Sequence, residues 1–297
     1  MVGDVLVFIL IVLQIILTLF LRSLVLPTPI SDSGGVRYRT IPWMTFLLIL
    51  ANAFVFLGWQ AANLYQGVQL LDQGNRRGFS LIYDYVIQLW TYGYRTVFLR
   101  DSVGIGAFST FTSLFMHGDV WHLLGNMIYL WTFGRRIEDA CGPWRYLAFY
   151  LLAGMVANVG WSVLNRAQPD LPGVGASGAI SGIMGAYLIL FPGALVTCFW
   201  GIGMALRLPA VLLLMAVRGS AMQGVPVWRW TVRLPAFVLL VFYLVVNALP
   251  SFDIIQRGQD YGGVNTIAHM TGFLAALAIF LYVRKDLLTR YVTGRSV

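Results

Sequence analysis

The chain has 297 residues, of which 59% are hydrophobic and only 11% charged, and its formal net charge is +8. A water-facing globule typically carries about 25% charged residues, so there is too little polar surface here to cover one. The basic residues are scattered between apolar runs and form no single stripe, which argues against nucleic-acid binding. Long, continuous apolar runs likewise exclude a lipid-facing barrel, whose strands are short and alternating. The sequence therefore describes an all-α polytopic membrane protein.

A span needs roughly 20 mostly apolar residues. Taken in chain order, the runs predict helices at about 4–26, 43–64, 115–134, 145–165, 176–191, 234–250 and 264–283. The first has Asp4 in place of a basic n-region and no small-x-small cleavage site, so it reads as a retained helix, not a signal peptide. Span 176–191 is short, which places its start inside protein or a water-filled cavity. An eighth stretch, 195–217, is interrupted by Arg207 and Pro209. With 27–42 on the cytoplasmic side, Arg22, Arg37, Arg39, Arg135, Arg136, Arg145, Arg207, Arg218, Arg229, Arg233, Arg284, Lys285, Arg290 and Arg295 fall inside, 14 of the 20 basic residues. That holds only if 195–217 is not a simple span but an interfacial, re-entrant or bundle-packed element. The long segment 66–112, rich in aromatics and interspersed with Arg, is expected to fold onto the outer leaflet. Cys141 and Cys198 are isolated thiols without CxxC spacing and read as inert core residues on the reducing side.

Ionisable residues within spans are expensive and therefore candidates for function. His117, His122 and His269 all lie in or at the outer ends of spans, at the same depth as Ser177. His122 and Asn126, four apart, share a helix face. His117 and His122, five apart, diverge by about 140° on a continuous helix. No HExxH is present, and the only Glu is Glu138, so no zinc site is expected. Ser177, Ser181 and Gly185 form one stripe of small residues, and Gly178, Gly182 and Ala186 the next. His269, Gly272 and Ala276 form a third. Small faces let helix backbones approach closely in lipid, which would carry the His269 imidazole to the Ser177 hydroxyl and activate it. The bland alternative is packing alone. Lys285, the only Lys, lies beyond the inner end of the last span, so a Ser–Lys dyad is excluded. A polar cluster of His117, Asp119, His122, Asn126 and Ser177 would line a water-bearing cavity.

Four ordered pieces resemble the rhomboid intramembrane serine proteases over roughly 41–284. They are His117-x4-His122-x3-Asn126, Gly134-x3-Glu138-x3-Gly142, Gly175-Ala176-Ser177-Gly178 and Ala268-His269-x2-Gly272. The resemblance implies a six-helix core, here 41–284. It is preceded by an extra transmembrane helix and linker, 1–40, and followed by a short cytoplasmic tail, 285–297. It implies a serine endopeptidase acting on transmembrane protein substrates in the bilayer, with no cofactor, metal or nucleic acid. In the implied roles, Ser177 is the nucleophile, His269 the general base, and His122, Asn126 and the Ser177 N–H the oxyanion site. His117 is structural, and Glu138 braces the cytosolic loop. The expected membrane is a bacterial inner membrane, with the site toward the outer leaflet. Two departures stand out. Where some members carry a Tyr stacked on the dyad His, four residues after the nucleophile, this chain has Ser181. Where the last helix often reads GxxxG, it has Gly272-x3-Ala276. The competing readings are a catalytically inactive relative that binds transmembrane helices, and a small transporter supported only by the intramembrane polar residues.

Overall fold

The computed structural model describes residues 26–32, 40–164, 171–202, 209, 213, 231–257 and 265–283. The expected first helix, 4–26, lies all but its last residue outside these, as does the tail 285–297. The chain divides into two compact units, residues 1–35 with 193–239 and residues 36–192 with 240–297.

The smaller unit holds a three-stranded antiparallel sheet in the order β1 (Thr28–Asp32), β2 (Leu195–Phe199) and β3 (Thr231–Pro235). β2 pairs with both neighbours, Thr28 opposite Phe199 and Leu195 opposite Pro235. The start of the doubtful stretch 195–217 is thus a strand, and most of the remainder lies outside the described residues. Leu-Val-Thr-Cys-Phe is a β-branched and aromatic run of strand length; apolarity alone cannot distinguish such a run from part of a helix. Leu234 and Pro235, placed by the sequence in a helix, end β3. Cys198 on β2 is fully buried, and burial pushes its thiol up to about 12. A water-soluble maleimide at neutral pH is therefore expected to leave Cys198 unmodified in the folded protein and to label it on unfolding, as read by intact mass. Prompt native labelling would contradict that burial.

The larger unit is helical. Helix α1, Trp43–Asp72, contains a π-helical stretch at Phe54–Gln60 and is longer than the 43–64 expected. Most of the aromatic segment is also helical: α2 spans Arg77–Tyr92, followed by the single turn Thr96–Arg100. Phe79, Tyr83, Val86, Ile87 and Trp90 remain exposed on α2, as side chains facing lipid would. The next helix, α3, covers 120–141, again with a π-helical segment at Leu130–Gly134. It starts five residues later than expected because Asp119 caps it, its Oδ1 accepting the N–H groups of Trp121 (2.7 Å) and His122 (2.8 Å). Then come α4 (Pro143–Leu164), α5 (Ser177–Leu190), α6 (Ala236–Arg257) and α7 (Thr266–Val283). The sequence ended α6 at Pro250, but the helix runs through it. The Ser251 hydroxyl donates to the Asn247 carbonyl (2.7 Å) beside the proline, one of the ways membrane helices accommodate such a break. Among the described residues, Trp43–Asp72, Pro143–Leu164 and Ala236–Ile255 are long and apolar enough to cross a membrane, and Ser177–Leu190 and Thr266–Tyr282 are shorter apolar helices.

α5 is the centre of this unit, with every residue from Gly178 to Tyr187 buried. Its small face touches α4, where a Cβ built on Gly178 would lie 2.6 Å from Ala157 Cβ and one on Gly182 would lie 2.5 Å from Ala153 Cβ. Ala276, the departure from GxxxG, is accommodated. Its Cβ is 3.7 Å from the Cβ that Gly182 would carry, an ordinary contact distance.

The N-terminus of α1 has no side-chain cap of its own, because Pro42 stands at the capping position. Glu138, 94 residues away, supplies one. Oε1 accepts from Met44 N (2.9 Å), and Oε2 accepts from Thr45 N (2.8 Å) and Thr45 Oγ1 (2.7 Å). The carboxylate is 1% exposed, so its removal strands three donors away from water. Glu138→Ala is expected to destabilise the protein by about 3 kcal/mol or more. Thermal unfolding in detergent, followed by tryptophan fluorescence, would read this as a lowered midpoint. A wild-type midpoint would contradict the assigned cap.

Candidate functional site

Ser177 opens α5, and Gly175-Ala176 precedes it in a tight turn. Gly175 has φ +122°, in the region that strains any residue with a side chain. A second constraint reinforces the first, since a Cβ there would lie 2.7 Å from His122 Cε1 and Nε2 and 3.5 Å from Asn126 Nδ2. The tips of His122 and Asn126 thus converge on the backbone just before Ser177. The Gly175 N–H is held by the Ser113 carbonyl (2.9 Å). As the first helical residue, Ser177 has a backbone N–H with no intrahelical acceptor, and it sits at the positive end of the helix dipole.

His117 is completely buried. Gln60, from the π-helical stretch of α1, brackets its backbone. Gln60 Oε1 accepts the His117 N–H (3.1 Å), and Gln60 Nε2 donates to the His117 carbonyl (3.1 Å). The His117 ring nitrogen Nε2 lies 3.0 Å from Asn126 Nδ2. An amide NH2 can only donate, so Nε2 is the acceptor, and His117 orients the Asn126 amide. The rings of His117 and His122 meet edge-on at 5.2 Å. Their expected divergence assumed a continuous helix, but α3 begins only at Val120, leaving His117 free of that geometry. The expected polar cluster also loses Asp119, which is exposed and occupied in capping α3.

α7 brings His269 toward α5. Any side chain at Gly272 would run into the Gly178 carbonyl oxygen, and the Ala268 carbonyl oxygen lies 4.0 Å from the Cβ position of Gly178. The neighbours of Ser177 and of His269 are therefore packed backbone to backbone. His269 Nδ1 is 2.9 Å from Asn247 Oδ1 on α6, and the ring lies 6.3 Å from that of Tyr243 at an interplanar angle of 31°. Ser181 Oγ donates to the Ser177 carbonyl (2.7 Å) and lies 2.6 Å from Tyr243 Oη. Tyr243, Asn247 and Gln60 lie outside the sequence motifs that mark Ser177, His122, Asn126 and His269. The available signal was the spacing Tyr243-x3-Asn247-x3-Ser251, a polar stripe along one face of an apolar helix.

No group of three or more His, Cys, Asp or Glu that could hold a metal occurs among the described residues.

These features define a polytopic helical membrane protein in which His117, His122 and Asn126 meet at the backbone that leads into Ser177 and the buried helix α5. Residues 106–286 match the Rhomboid domain model, and the chain belongs to that family. It is 30% identical over 113 residues to Rhomboid protein 1, mitochondrial, of Saccharomyces cerevisiae, covering 37% of this chain and 33% of that one. It is 36% identical over 77 residues to Rhomboid protease GluP of Bacillus subtilis (26% and 14%). It is also 27% identical over 199 residues to Rhomboid-like protease 3 of Toxoplasma gondii (65% and 60%). The chain thus spans a third of the yeast relative's length and well under two thirds of the Bacillus one. Family and fold together make it an integral multi-pass membrane protein.

Proposed function

We propose that the protein is an intramembrane serine endopeptidase that cleaves transmembrane protein substrates in or near their membrane spans. On this reading, six helices form the core and 4–26 adds a seventh. The membrane is a bacterial inner membrane, with the site toward its outer leaflet. Ser177 Oγ attacks the scissile carbonyl carbon, and its proton passes to His269 Nε2. The carbonyl oxygen becomes an oxyanion that accepts from His122, Asn126 and the Ser177 N–H. Collapse breaks the C–N bond, and His269 gives its proton to the departing amine. Water, deprotonated by the same imidazole, then hydrolyses the acyl-enzyme and frees Ser177. Donors placed in advance where charge develops are usually the largest contribution to such catalysis.

The observation that carries this reading is the convergence of His122 and Asn126 on the Gly175 backbone, two residues before Ser177. The names of the Bacillus and Toxoplasma relatives as proteases support it. The test is reconstitution in liposomes with a single-span reporter protein, with products mapped by mass spectrometry. Cleavage within or beside the reporter's span is the expected result. Stable capture of the uncut reporter would instead favour the inactive helix-binding relative.

A further inference from the structure

In the proposed dyad, Ser177 and His269 lie on α5 and α7, yet the groups that orient the imidazole come from α6. Hydrogen-bond arithmetic fixes the proton positions. Asn247 Nδ2 lies 2.9 Å from the Tyr243 backbone carbonyl, which can only accept, so this side of the amide is the NH2. The oxygen Oδ1 must then face His269 Nδ1 at 2.9 Å. An amide oxygen can only accept, so Nδ1 carries the hydrogen. In a neutral imidazole this makes Nε2 the basic nitrogen, as a general base toward Ser177 requires. A second chain runs parallel to the first. The Ser177 carbonyl takes the Ser181 hydroxyl proton (2.7 Å), so the Tyr243 hydroxyl is the donor to Ser181 Oγ (2.6 Å). The Tyr243 ring lies beside the His269 ring. Asn247 is 6% exposed and His269 9%, so both partners of this bond are buried.

We propose that Asn247 is the positioning residue of the dyad base, holding His269 in the Nδ1–H tautomer, with Tyr243 bracing the ring. This proposal rests on the reading of Ser177 and His269 as a dyad. Asn247 occupies the place of the acid in a Ser-His-Asp triad. Being neutral, it fixes tautomer and direction without electrostatically favouring the imidazolium. It also accounts for Ser181. The aromatic ring beside His269 here is Tyr243 on α6, and its hydroxyl reaches the small Ser181 side chain at 2.6 Å.

The test compares the full-length wild type with Asn247→Leu, which keeps the volume but removes the acceptor, and with Asn247→Asp, which restores it. Two quantities are read: the rate of labelling by a fluorophosphonate, and the His269 tautomer from imidazole 15N resonances, assigned by loss of signal in His269→Gln. Asn247→Leu is expected to slow labelling on the order of 10²-fold, the lower end of what a positioned general base supplies, and to lose the Nδ1–H signature. Asn247→Asp is expected to recover most of the rate and the signature. A labelling rate within about twofold of wild type in Asn247→Leu, or an unchanged His269 tautomer there, overturns the proposal. If wild type itself never labels, the endopeptidase reading fails, and the tautomer comparison still decides the positioning.

Discussion

Ser177→Ala and His269→Ala are each expected to lower reporter cleavage by on the order of 10⁴-fold or more, with the double variant no worse than either single one. The reason is that nucleophile and base act as one unit. Without the imidazole the hydroxyl keeps its proton, and without the hydroxyl the imidazole has nothing to activate. Ser177→Ala removes a single hydroxyl, whereas His269→Ala empties the space of a buried ring and takes the partner from Asn247 Oδ1. Ser177 is half-buried at the first turn of α5. Ser177→Ala should therefore purify as monodisperse, helical protein with its loss in turnover and not in yield, and His269→Ala is compared at matched folded protein. On the proposed roles, His122→Ala and Asn126→Ala each take away one oxyanion donor while leaving Ser177 and His269 in place, and each is expected to lose about 10²–10³-fold. Steady-state cleavage in proteoliposomes at matched protein density orders these variants. Wild-type turnover by Ser177→Ala would refute the assignment of the nucleophile.

The other large effect falls on packing. Gly272→Val is expected to disrupt the protein, because any Cβ at this position runs into the Gly178 carbonyl oxygen and lies 3.3 Å from Ala157 Cβ. The opposing wall is backbone, which cannot rotate away as a side chain would. Overpacking a tight core costs typically about 1–3 kcal/mol, and in lipid no hydrophobic driving force between helices offsets the lost contacts. The same displacement would part α5 from α7 and so separate Ser177 from His269. A lowered unfolding midpoint and at least tenfold slower cleavage are therefore expected together. Gly125→Ala is the matched control. It also lies inside a helix, but a Cβ there meets nothing within 4 Å. Helix propensity predicts a gain of up to about 1 kcal/mol at that site. If Gly272→Val is as stable as Gly125→Ala, the close α5–α7 crossing is wrong.

The sequence was most informative where its signal was local. Small residues at helical spacing foretold that α5 and α7 would approach backbone to backbone, and Gly178 and Gly272 do so. Long apolar runs located α1, α4 and α7 to within a few residues at their starts. It was least informative where long-range contacts decide. The α1 cap at Met44 and Thr45 is a carboxylate 94 and 93 residues away, which no local capping rule could find. The apolar stretch after Gly193 became a strand because β1 and β3 pair with it, and both partners are distant in sequence. Asp119 is expected from the sequence to line a water-bearing cavity, but its carboxylate is used by the two N–H groups it caps. The polar residues of α6 were not legible because Tyr243 and Asn247 belong to no motif and lie 26 and 22 residues before the histidine they meet. Their importance emerges only once His269 is beside them.

On the proposed reading, Ser177 is an activated nucleophile inside the membrane. The most direct measurement is reaction of the detergent-purified protein with a fluorescent fluorophosphonate, beside Ser177→Ala and His269→Ala, with the adduct located by peptide mass mapping. Labelling of wild type alone is expected, with the phosphonate on Ser177. A monodisperse, helical wild type that stays unlabelled, or equal labelling of Ser177→Ala, would contradict it.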